Sequence, residues 1–239
     1  MTYGIICAMQ EEFLKLSEVI ENKEVVSLYG RDFIKGKINE TSVVAVVSRI
    51  GKVAAGVTTM LLIDKFKIDA AIFCGIAGSL SDNVKIGDIV ISDKCVQHDF
   101  YLSDSDIFRI PLLNVSYIPA DEALTEKAKA AAVEFSQNLP DEAKEFNSNP
   151  KIHIGTVASG DQFISSTQKK EWIASKAENA KCCEMEGAAV AQVCYEANVP
   201  YTVIRVISDG ADDDADINFE KFVNTASIYT KGIIKSLLK

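Results

Sequence analysis

Acidic side chains stand where several short apolar runs of this sequence end. The acids that follow such runs are Glu11, Glu12, Asp161, Glu184, Glu186 and Asp209. Gly75 and Gly78 follow a further run, where a backbone without side chains lets a ligand approach closely. In open α/β sheets, ligands bind beyond the carboxyl ends of the strands, and carboxyl groups placed there can act as general acids or bases. The pattern therefore predicts a ligand site, but it leaves the reaction open.

Each of these acids also has a purely structural explanation. An acid after a strand often caps the next helix, because negative charge is favoured at a helix N-terminus. Asp209 and Glu186 both stand where they could do this. Taken singly, none identifies a catalytic group; the set of acids with the two glycines is what indicates a site.

Short apolar runs alternate with longer amphipathic stretches along the chain. The runs predict strands at residues 3–8, 24–29, 33–39, 42–48, 70–74, 89–92, 152–158 and 201–207. Helical spacing is found at residues 51–66, 121–135, 186–197 and 218–238. The irregular stretch at residues 101–120 is typical of a long loop that covers a site or meets another subunit. The alternation predicts an α/β sandwich around a largely parallel sheet, formed as one domain over residues 1–239.

Composition excludes several classes of partner. The 239 residues are 48% hydrophobic and 25% charged, so a full globular core is expected. The excess of 34 acidic over 25 basic side chains gives a formal charge of −9, which repels nucleic acid and anionic membranes. The chain shows no signal-peptide pattern and no apolar run of about 20 residues, and its six cysteines lack disulfide spacing. We expect a cytoplasmic protein with a small neutral or cationic ligand.

Familiar cofactor and nucleophile motifs are absent or incomplete. Residues 30–37 resemble a phosphate-binding loop only superficially, and no G-x-G-x-x-G opens a helix. Neither of the two histidines has a second ligand at zinc spacing. Asp212, Asp214 and Asp216 begin like a calcium loop, but its turn glycine and closing Glu are missing, which favours a hydrated loop. No G-x-S-x-G is present, and we expect no cofactor and no metal.

Longer motifs occur in a fixed order from Gly4 to the last predicted helix. They are GIICAMQEE at 4–12, IGKVAA at 50–55, GIAG at 75–78, VQHD at 96–99, ASGDQFI at 158–164, EMEGA at 184–188 and VISD at 206–209. Together they closely resemble the 5′-methylthioadenosine/S-adenosylhomocysteine nucleosidases of the purine nucleoside phosphorylase superfamily. The resemblance weakens only between about residues 100 and 150. It implies a three-layer αβα sandwich with a central mixed, largely parallel sheet.

The resemblance also implies a reaction: hydrolysis of the N-ribosidic bond of methylthioadenosine, adenosylhomocysteine and 5′-deoxyadenosine. Such a bond breaks through an oxocarbenium-like state, in which the leaving base needs a proton and the cation needs nearby negative charge. By the match of motifs, Asp209 donates a proton to N7 of adenine, Glu12 activates water and Glu186 holds the ribose hydroxyls. Asp209 must then stay protonated near neutral pH, which requires desolvation to raise its pKa.

The substrate contacts follow from the same resemblance. Phe163 would stack on adenine, the Ile164 backbone would read the edge of the base, and Ser208 would orient Asp209. Arg205 is expected as a charge on the same strand. The other expected substrate-binding residues are Met9, Ile50, Ile76, Ala77, Gly78, Glu184, Met185 and Phe219.

Three positions depart from the patterns of related enzymes. Ile76 stands where many relatives have Ser, and Arg49 stands where Gly is frequent. The phosphorylases of the superfamily have a phosphate-binding arginine where this chain has Phe73, and Glu12 would repel phosphate. Water is therefore the expected nucleophile. The alternatives are a phosphate-dependent purine nucleoside phosphorylase and a non-catalytic nucleoside-binding protein on the same fold.

Members of this family are usually homodimers in which one loop reaches the partner's pocket. The resemblance implies that residues 100–110 do this here, with Leu102, Ile107 or Phe108 closing the neighbouring site and setting the tolerance for the 5′ substituent. Because some close relatives cleave 6-amino-6-deoxyfutalosine, that compound is an alternative main substrate. The expected partners are a small nucleoside and a second copy of the chain, without nucleic acid or membrane.

Overall fold

Strands and helices alternate along the chain, which the computed structural model describes at residues 1–103 and 107–239. The strands are β1 (Thr2–Cys7), β2 (Glu21–Leu28), β3 (Arg31–Ile38), β4 (Thr41–Val47), β5 (Ala70–Ser79), β6 (Ile89–Gln97), β7 (Tyr117–Pro119), β8 (Ile152–Ser159), β9 (Ala180–Glu184) and β10 (Tyr201–Asp209). The α-helices are α1 (Gln10–Glu18), α2 (Lys52–Phe66), α3 (Glu122–Gln137), α4 (Thr167–Lys176), α5 (Gly187–Ala197) and α6 (Ala215–Leu237).

Local sequence explains several element ends. The β2–β3 hairpin turns on Tyr29 and Gly30, whose φ angles of 50° and 72° match the two-residue turn that hairpins prefer. Helix α3 begins after Asp121, whose carboxylate accepts a hydrogen bond from the Leu124 N–H at 2.8 Å. Helix α2 ends at Lys67 in the left-handed conformation, a common helix terminator.

All strands of the described residues join one mixed sheet. Its centre is parallel: β4, β1, β5 and β10 run the same way side by side. The antiparallel β2–β3 hairpin extends the sheet beyond β4. On the other side, β10 pairs with β6, β6 with β8, β8 with β9, and β9 pairs back to the end of β5. The strands β5, β10, β6, β8 and β9 therefore pair in a closed ring.

Helices cover both faces of the sheet, which confirms the predicted three-layer sandwich. Neighbouring strand residues point to opposite faces, so Ile72 belongs to one apolar cluster and Phe73 to the other. Helices α1, α3 and α6 pack on the first face, while α2 and α5 pack on the second. Within the described residues, no helix is both long enough and apolar enough to cross a bilayer.

Some predicted boundaries were wrong, and two helices were not predicted. Strand β5 does not end at Cys74 but continues to Ser79, and all its residues are buried. Gly75 and Gly78, which were expected to follow this strand, lie within it. Helix α1 begins directly after the first strand, so Glu12 is helical. Helix α4 also escaped prediction, because only Ile173 of its residues is buried and its apolar pattern is weak.

The loop expected to reach a partner is only partly described. Residues 104–106 lie outside the described residues, while Tyr101 and Ile107 form an isolated β-bridge. Phe108 is buried in its own chain, edge-to-face with Trp172 at a ring-centroid distance of 6.1 Å. Leu102 is 54% exposed. Of the three candidates for closing a neighbouring site, Leu102 is thus the exposed one. Phe108 packs within its own chain instead.

Candidate active site

One cleft collects nearly all the residues selected from the sequence. It encloses about 590 Å³, including its open mouth. The predicted residues that line it are Met9, Glu12, Ile50, Ile76, Ala77, Gly78, Phe163, Ile164, Glu184, Met185, Glu186, Ser208, Asp209 and Phe219. Ala8, Gln162 and Cys183 also line it and were not predicted. Each directly precedes a predicted residue, so adjacency within the motifs was the available signal.

Glu12 is held by backbone amides at the floor of the cleft. Its Oε2 accepts hydrogen bonds from the N–H groups of Ala8 at 2.8 Å and Met9 at 3.0 Å. Its Oε1 accepts one from Ile76 at 3.0 Å. Burial raises the pKa of Glu12 above its ordinary value, although Arg205 and these amides oppose the rise. The turn from β1 into α1 thus fixes a buried carboxyl group whose affinity for protons is increased.

Arg205 lies behind the cleft and does not line it. The expectation that it contacts the substrate directly is therefore not met in this structure. Its side chain is 1% exposed, its guanidinium stacks 3.9 Å from the Phe73 ring centroid, and Nη2 donates to Oε2 of Glu184. Its Nε and Nη1 have no hydrogen-bond partner among the described residues. A Cβ at position 75 would collide with Nη1 of Arg205 and Oε1 of Glu12, which explains the glycine there.

Glu184 connects Arg205 to the start of α5. Its carboxylate accepts hydrogen bonds from the N–H groups of Glu186 at 3.1 Å and Gly187 at 2.8 Å, and from the Ser159 hydroxyl. The Ser159 oxygen in turn accepts from the Ala188 N–H at 2.7 Å. Negative charge at a helix N-terminus is favourable, so Glu184 fixes the backbone from which the Glu186 side chain projects.

Glu186 faces the cleft with few compensating contacts. Its Oε1 accepts a hydrogen bond from the Gly51 N–H at 2.7 Å, and the residue is 4% exposed. Burial, followed by the nearby charge of Glu184, raises the pKa of Glu186 to about 8, against the opposing effect of Arg205. The ionised form of this residue therefore costs the fold stability.

That cost predicts a stabilising substitution. Below the ordinary pKa of 4.5, Glu186 is protonated in both the folded and the unfolded chain and costs the fold nothing. The free energy of unfolding then falls as the pH rises from 4.5 through about 8. Because Glu186→Gln stays neutral, we expect it to exceed the parent protein in free energy of unfolding by about 2–4 kcal/mol at pH 9. Urea denaturation at pH 5 and pH 9 measures this, with exposed Glu196→Gln as the control. Equal pH dependence in parent and Glu186→Gln would contradict it.

Asp209 ends β10 and contacts Ser208 and Ala211. Its Oδ2 accepts from the Ser208 hydroxyl at 2.6 Å, and its Oδ1 accepts from the Ala211 N–H at 2.8 Å. Burial raises the pKa of Asp209, and the charges of Asp212 and Asp216 add to the rise, while its two hydrogen bonds oppose it. Gly78 lies against it, since a Cβ there would be 2.6 Å from Oδ1. Like Glu12 and Glu186, this carboxyl group is therefore shifted toward its protonated form.

The apolar wall of the cleft lies partly at its mouth. Phe163 is 42% exposed and Ile50 is 55% exposed, so both can accept further contacts. The ring of Phe163 meets that of Phe219, from the start of α6, edge-to-face at 5.6 Å. Met9 and Met185 are half-buried and also line the cleft. The cleft therefore combines carboxyl groups at its floor with aromatic and aliphatic groups at its entrance.

Of the three departures from the patterns of related enzymes, Ile76 lines the cleft, whereas Arg49 and Phe73 do not. Arg49 adopts a φ of 77°, a conformation that favours glycine. Its guanidinium is turned away to donate to the Gly30 carbonyl at 2.7 Å. Phe73 is fully buried against Arg205. Within residues 1–103 and 107–239, no Lys or Arg side chain lines the cleft, so this part of the chain offers no cationic clamp for phosphate.

Comparison with known proteins identifies the family of the chain. Residues 2–239 match the model of the phosphorylase superfamily. A 5′-methylthioadenosine/S-adenosylhomocysteine nucleosidase of Staphylococcus saprophyticus is 36% identical, over 99% of this chain and 98% of its own length.

Two solved structures are similar over nearly the whole chain. The nucleosidase of the same name from Neisseria meningitidis, in complex with methylthio-immucillin-A, has a TM-score of 0.90 and 32% identity, covering 100% of this chain and 98% of its own. A futalosine hydrolase of Helicobacter pylori has a TM-score of 0.88 and 34% identity, covering 99% and 97%. The chain therefore belongs to the phosphorylase superfamily and, within it, to the 5′-methylthioadenosine/S-adenosylhomocysteine nucleosidase family.

Proposed function

We propose that this chain hydrolyses the N-ribosidic bond of 5′-methylthioadenosine and S-adenosylhomocysteine, and also of 5′-deoxyadenosine, releasing adenine and the 5′-substituted ribose. The observation that carries the proposal is the convergence of three buried carboxyl groups, those of Glu12, Glu186 and Asp209, on one cleft. The full-length relatives named for this activity support it. The enzyme is an N-glycosyl hydrolase.

Asp209 is the general acid. As the bond between C1′ and N9 breaks, its proton passes to N7 and the electron pair stays with the base, which leaves as neutral adenine. The desolvation that raises its pKa keeps this proton available at neutral pH. The hydrogen bonds from Ser208 to Oδ2 and from the Ala211 N–H to Oδ1 fix the orientation in which the carboxyl group meets the base.

Glu12 activates the attacking water. Three backbone N–H donors fix the plane of its carboxylate, and the nearby Arg205 favours its ionised form. Glu12 accepts a proton from the water as the water oxygen bonds to C1′. Glu186 holds the ribose hydroxyls. The developing oxocarbenium ion favours the ionised form of this carboxyl group, whose negative charge then faces the cation.

The remaining cleft residues bind the ends of the substrate. Phe163 stacks on adenine, and the Ile164 backbone hydrogen-bonds to the edge of the base. Met9, Met185 and Phe219 surround the 5′ substituent, because an apolar, sulfur-containing wall suits a thioether. No step in this scheme requires a cofactor.

Adenine release from methylthioadenosine tests the proposal. Chromatography would follow the reaction in phosphate-free buffer and again with added phosphate. We expect equal release in both buffers, with free methylthioribose as the second product. Release only with phosphate would replace the nucleosidase by a phosphorylase. Binding of methylthioadenosine without release in either buffer would instead indicate a non-catalytic nucleoside-binding protein.

Cleavage of 6-amino-6-deoxyfutalosine is the second candidate activity. The similarity to the futalosine hydrolase of Helicobacter pylori, at 34% identity, is the observation that favours it. Both activities break the same type of bond and use the same three carboxyl groups. The ratio of kcat/KM for this substrate to that for methylthioadenosine decides which activity is the main one.

The enzyme is a homodimer in this proposal, with α2 as part of the interface. Val53, Val57 and Met60 are 78%, 46% and 49% exposed and lie one turn apart on one face of α2. An exposed apolar stripe of this kind is typical of a contact surface. Because α2 begins beside the cleft, this arrangement suits the expectation that a loop of the partner completes the site. Among the described residues of that loop, Tyr101 and Leu102 are the exposed large apolar ones, at 53% and 54%.

A charge on this stripe should therefore separate the subunits. We expect Val57→Asp to convert the dimer to monomer at micromolar concentration, because an unpaired carboxylate in an apolar interface costs several kcal/mol. Light scattering coupled to size-exclusion chromatography measures the mass. Leu14→Asp on α1, which replaces a residue 62% exposed on the other face of the sheet, is the control. A dimeric Val57→Asp protein would place the interface elsewhere.

A further inference from the structure

The segment that carries Phe163 has no regular secondary structure of its own. We call residues 160–164, between β8 and α4, the base loop. Gln162, Phe163 and Ile164 of this loop line the cleft, and Phe163 is half exposed. A loop without internal backbone pairing must be fixed by contacts from elsewhere if it is to present an aromatic ring in one orientation.

Those contacts converge on Asp161. Its Oδ1 accepts a hydrogen bond from the Lys52 N–H at 2.8 Å, and its own N–H donates to Oδ2 of Asp99 at 2.9 Å. The Gly160 N–H donates to the Glu184 carbonyl at 3.1 Å. The base loop is thus anchored at its first two residues, and Asp161 is held through both its side chain and its backbone.

Lys52 closes this arrangement into a ring of contacts. Its Nζ lies 2.5 Å from Oδ1 of Asp99 and 3.2 Å from the Oε1 of Gln97. The Lys52 and Asp99 side chains are only 16% and 23% exposed, so the pair is more strongly coupled than a surface ion pair. One residue therefore contacts Asp161 through its backbone and Asp99 through its ammonium group.

The same helix start also contacts the ribose end of the site. The Gly51 N–H donates to Glu186 at 2.7 Å, and the adjacent Lys52 N–H donates to Asp161. Two successive amides at the N-terminus of α2, where negative charge is favoured, thus hold two carboxylates. One carboxylate belongs to the ribose-binding group and the other to the base loop.

We infer that Lys52, Asp99 and Asp161 form a positioning network that sets the base loop for binding adenine. The inference rests on the proposed function, because it takes Phe163 as the residue that stacks on the base. Lys52 and Asp99 act through Asp161, without touching substrate or the reacting atoms. Their contribution should therefore be to the affinity for the base and not to the bond-breaking step.

Lys52→Met tests this, since it removes the ammonium group and keeps the aliphatic stem and the backbone N–H. We expect about a tenfold weaker inhibition by adenine and a KM raised by a similar factor, with kcat within about threefold of the parent. Asp99→Asn should act in the same direction, and the double variant should lose no more than Lys52→Met alone. Lys52→Arg, which keeps the charge, should restore most of the affinity.

The control is Lys144→Met, which removes a surface ion pair with Asp141 of 2.6 Å and should change nothing. Unchanged adenine inhibition in both Lys52→Met and Asp99→Asn would overturn the inference. So would a fall in kcat at constant adenine affinity, which would indicate action through Gly51 and Glu186. Calorimetric titration measures the affinity for adenine, and so tests the base loop separately from the reaction. Absence of adenine release by the parent enzyme would instead overturn the proposed function.

Discussion

Asp209→Asn should reduce kcat by at least about a thousandfold while leaving substrate affinity within severalfold of the parent. The Asn side chain has a single acceptor oxygen, so it can keep only one of the two hydrogen bonds that Ser208 and Ala211 donate to Asp209. Its size and neutrality nevertheless match the protonated carboxyl group. What it lacks is an acidic proton for N7. The reaction would then have to expel adenine as an anion, which is the slow route.

Single-turnover adenine release gives the rate, and calorimetric titration with methylthioadenosine gives the affinity. The matched control is Asp213→Asn in the same loop, where an exposed carboxylate accepts from the Thr167 hydroxyl at 2.7 Å. We expect the control to retain full activity. An Asp209→Asn enzyme with more than about a tenth of the parental kcat would remove Asp209 from the role of acid.

Glu12→Gln should lower kcat by about 10²–10⁴-fold, because the attacking water loses the group that accepts its proton. The amide introduces a second defect. Both oxygens of Glu12 face backbone N–H donors, so one N–H of the new NH₂ group must oppose a donor. We therefore also expect a lower free energy of unfolding, which distinguishes this variant from Glu186→Gln.

Glu11→Gln is the matched control for Glu12→Gln, since Glu11 is the exposed neighbour on the same helix. Affinity for adenine should be unchanged in both variants, because neither residue contacts the base. If the Glu12→Gln enzyme retains its turnover, another group must activate the water. Loss of adenine binding would instead show that the substitution distorts the cleft.

The sequence was most informative where the chain is continuously apolar or where a turn is short. Strand β1 and the β2–β3 hairpin follow directly from such patterns. Strand β5 was predicted too short because Gly75 and Gly78 are usually turn residues. Here they lie within a strand, and the reason is not local: each leaves room for a carboxyl group that comes from another part of the chain.

The site residues were found through motifs, and the contacts between them were not. Nothing near Lys52 in the sequence indicates a partner at Asp99, because the two are brought together by the pairing of distant strands. Arg205 was expected near substrate, whereas it lies behind the cleft with Glu184 and Phe73. Long-range packing of this kind leaves no periodic signal for local reasoning to use.

The closed ring of β5, β10, β6, β8 and β9 gives the cleft a mechanical property. Sliding one strand of a closed ring requires breaking hydrogen bonds on both of its sides. We therefore expect the carboxyl groups at the ends of β9 and β10 to keep their spacing when substrate binds. Phe163 and Phe219 belong to a loop and a helix outside this ring. We expect these two residues to shift when substrates with 5′ substituents of different length bind, while the strands that carry the carboxyl groups stay in place.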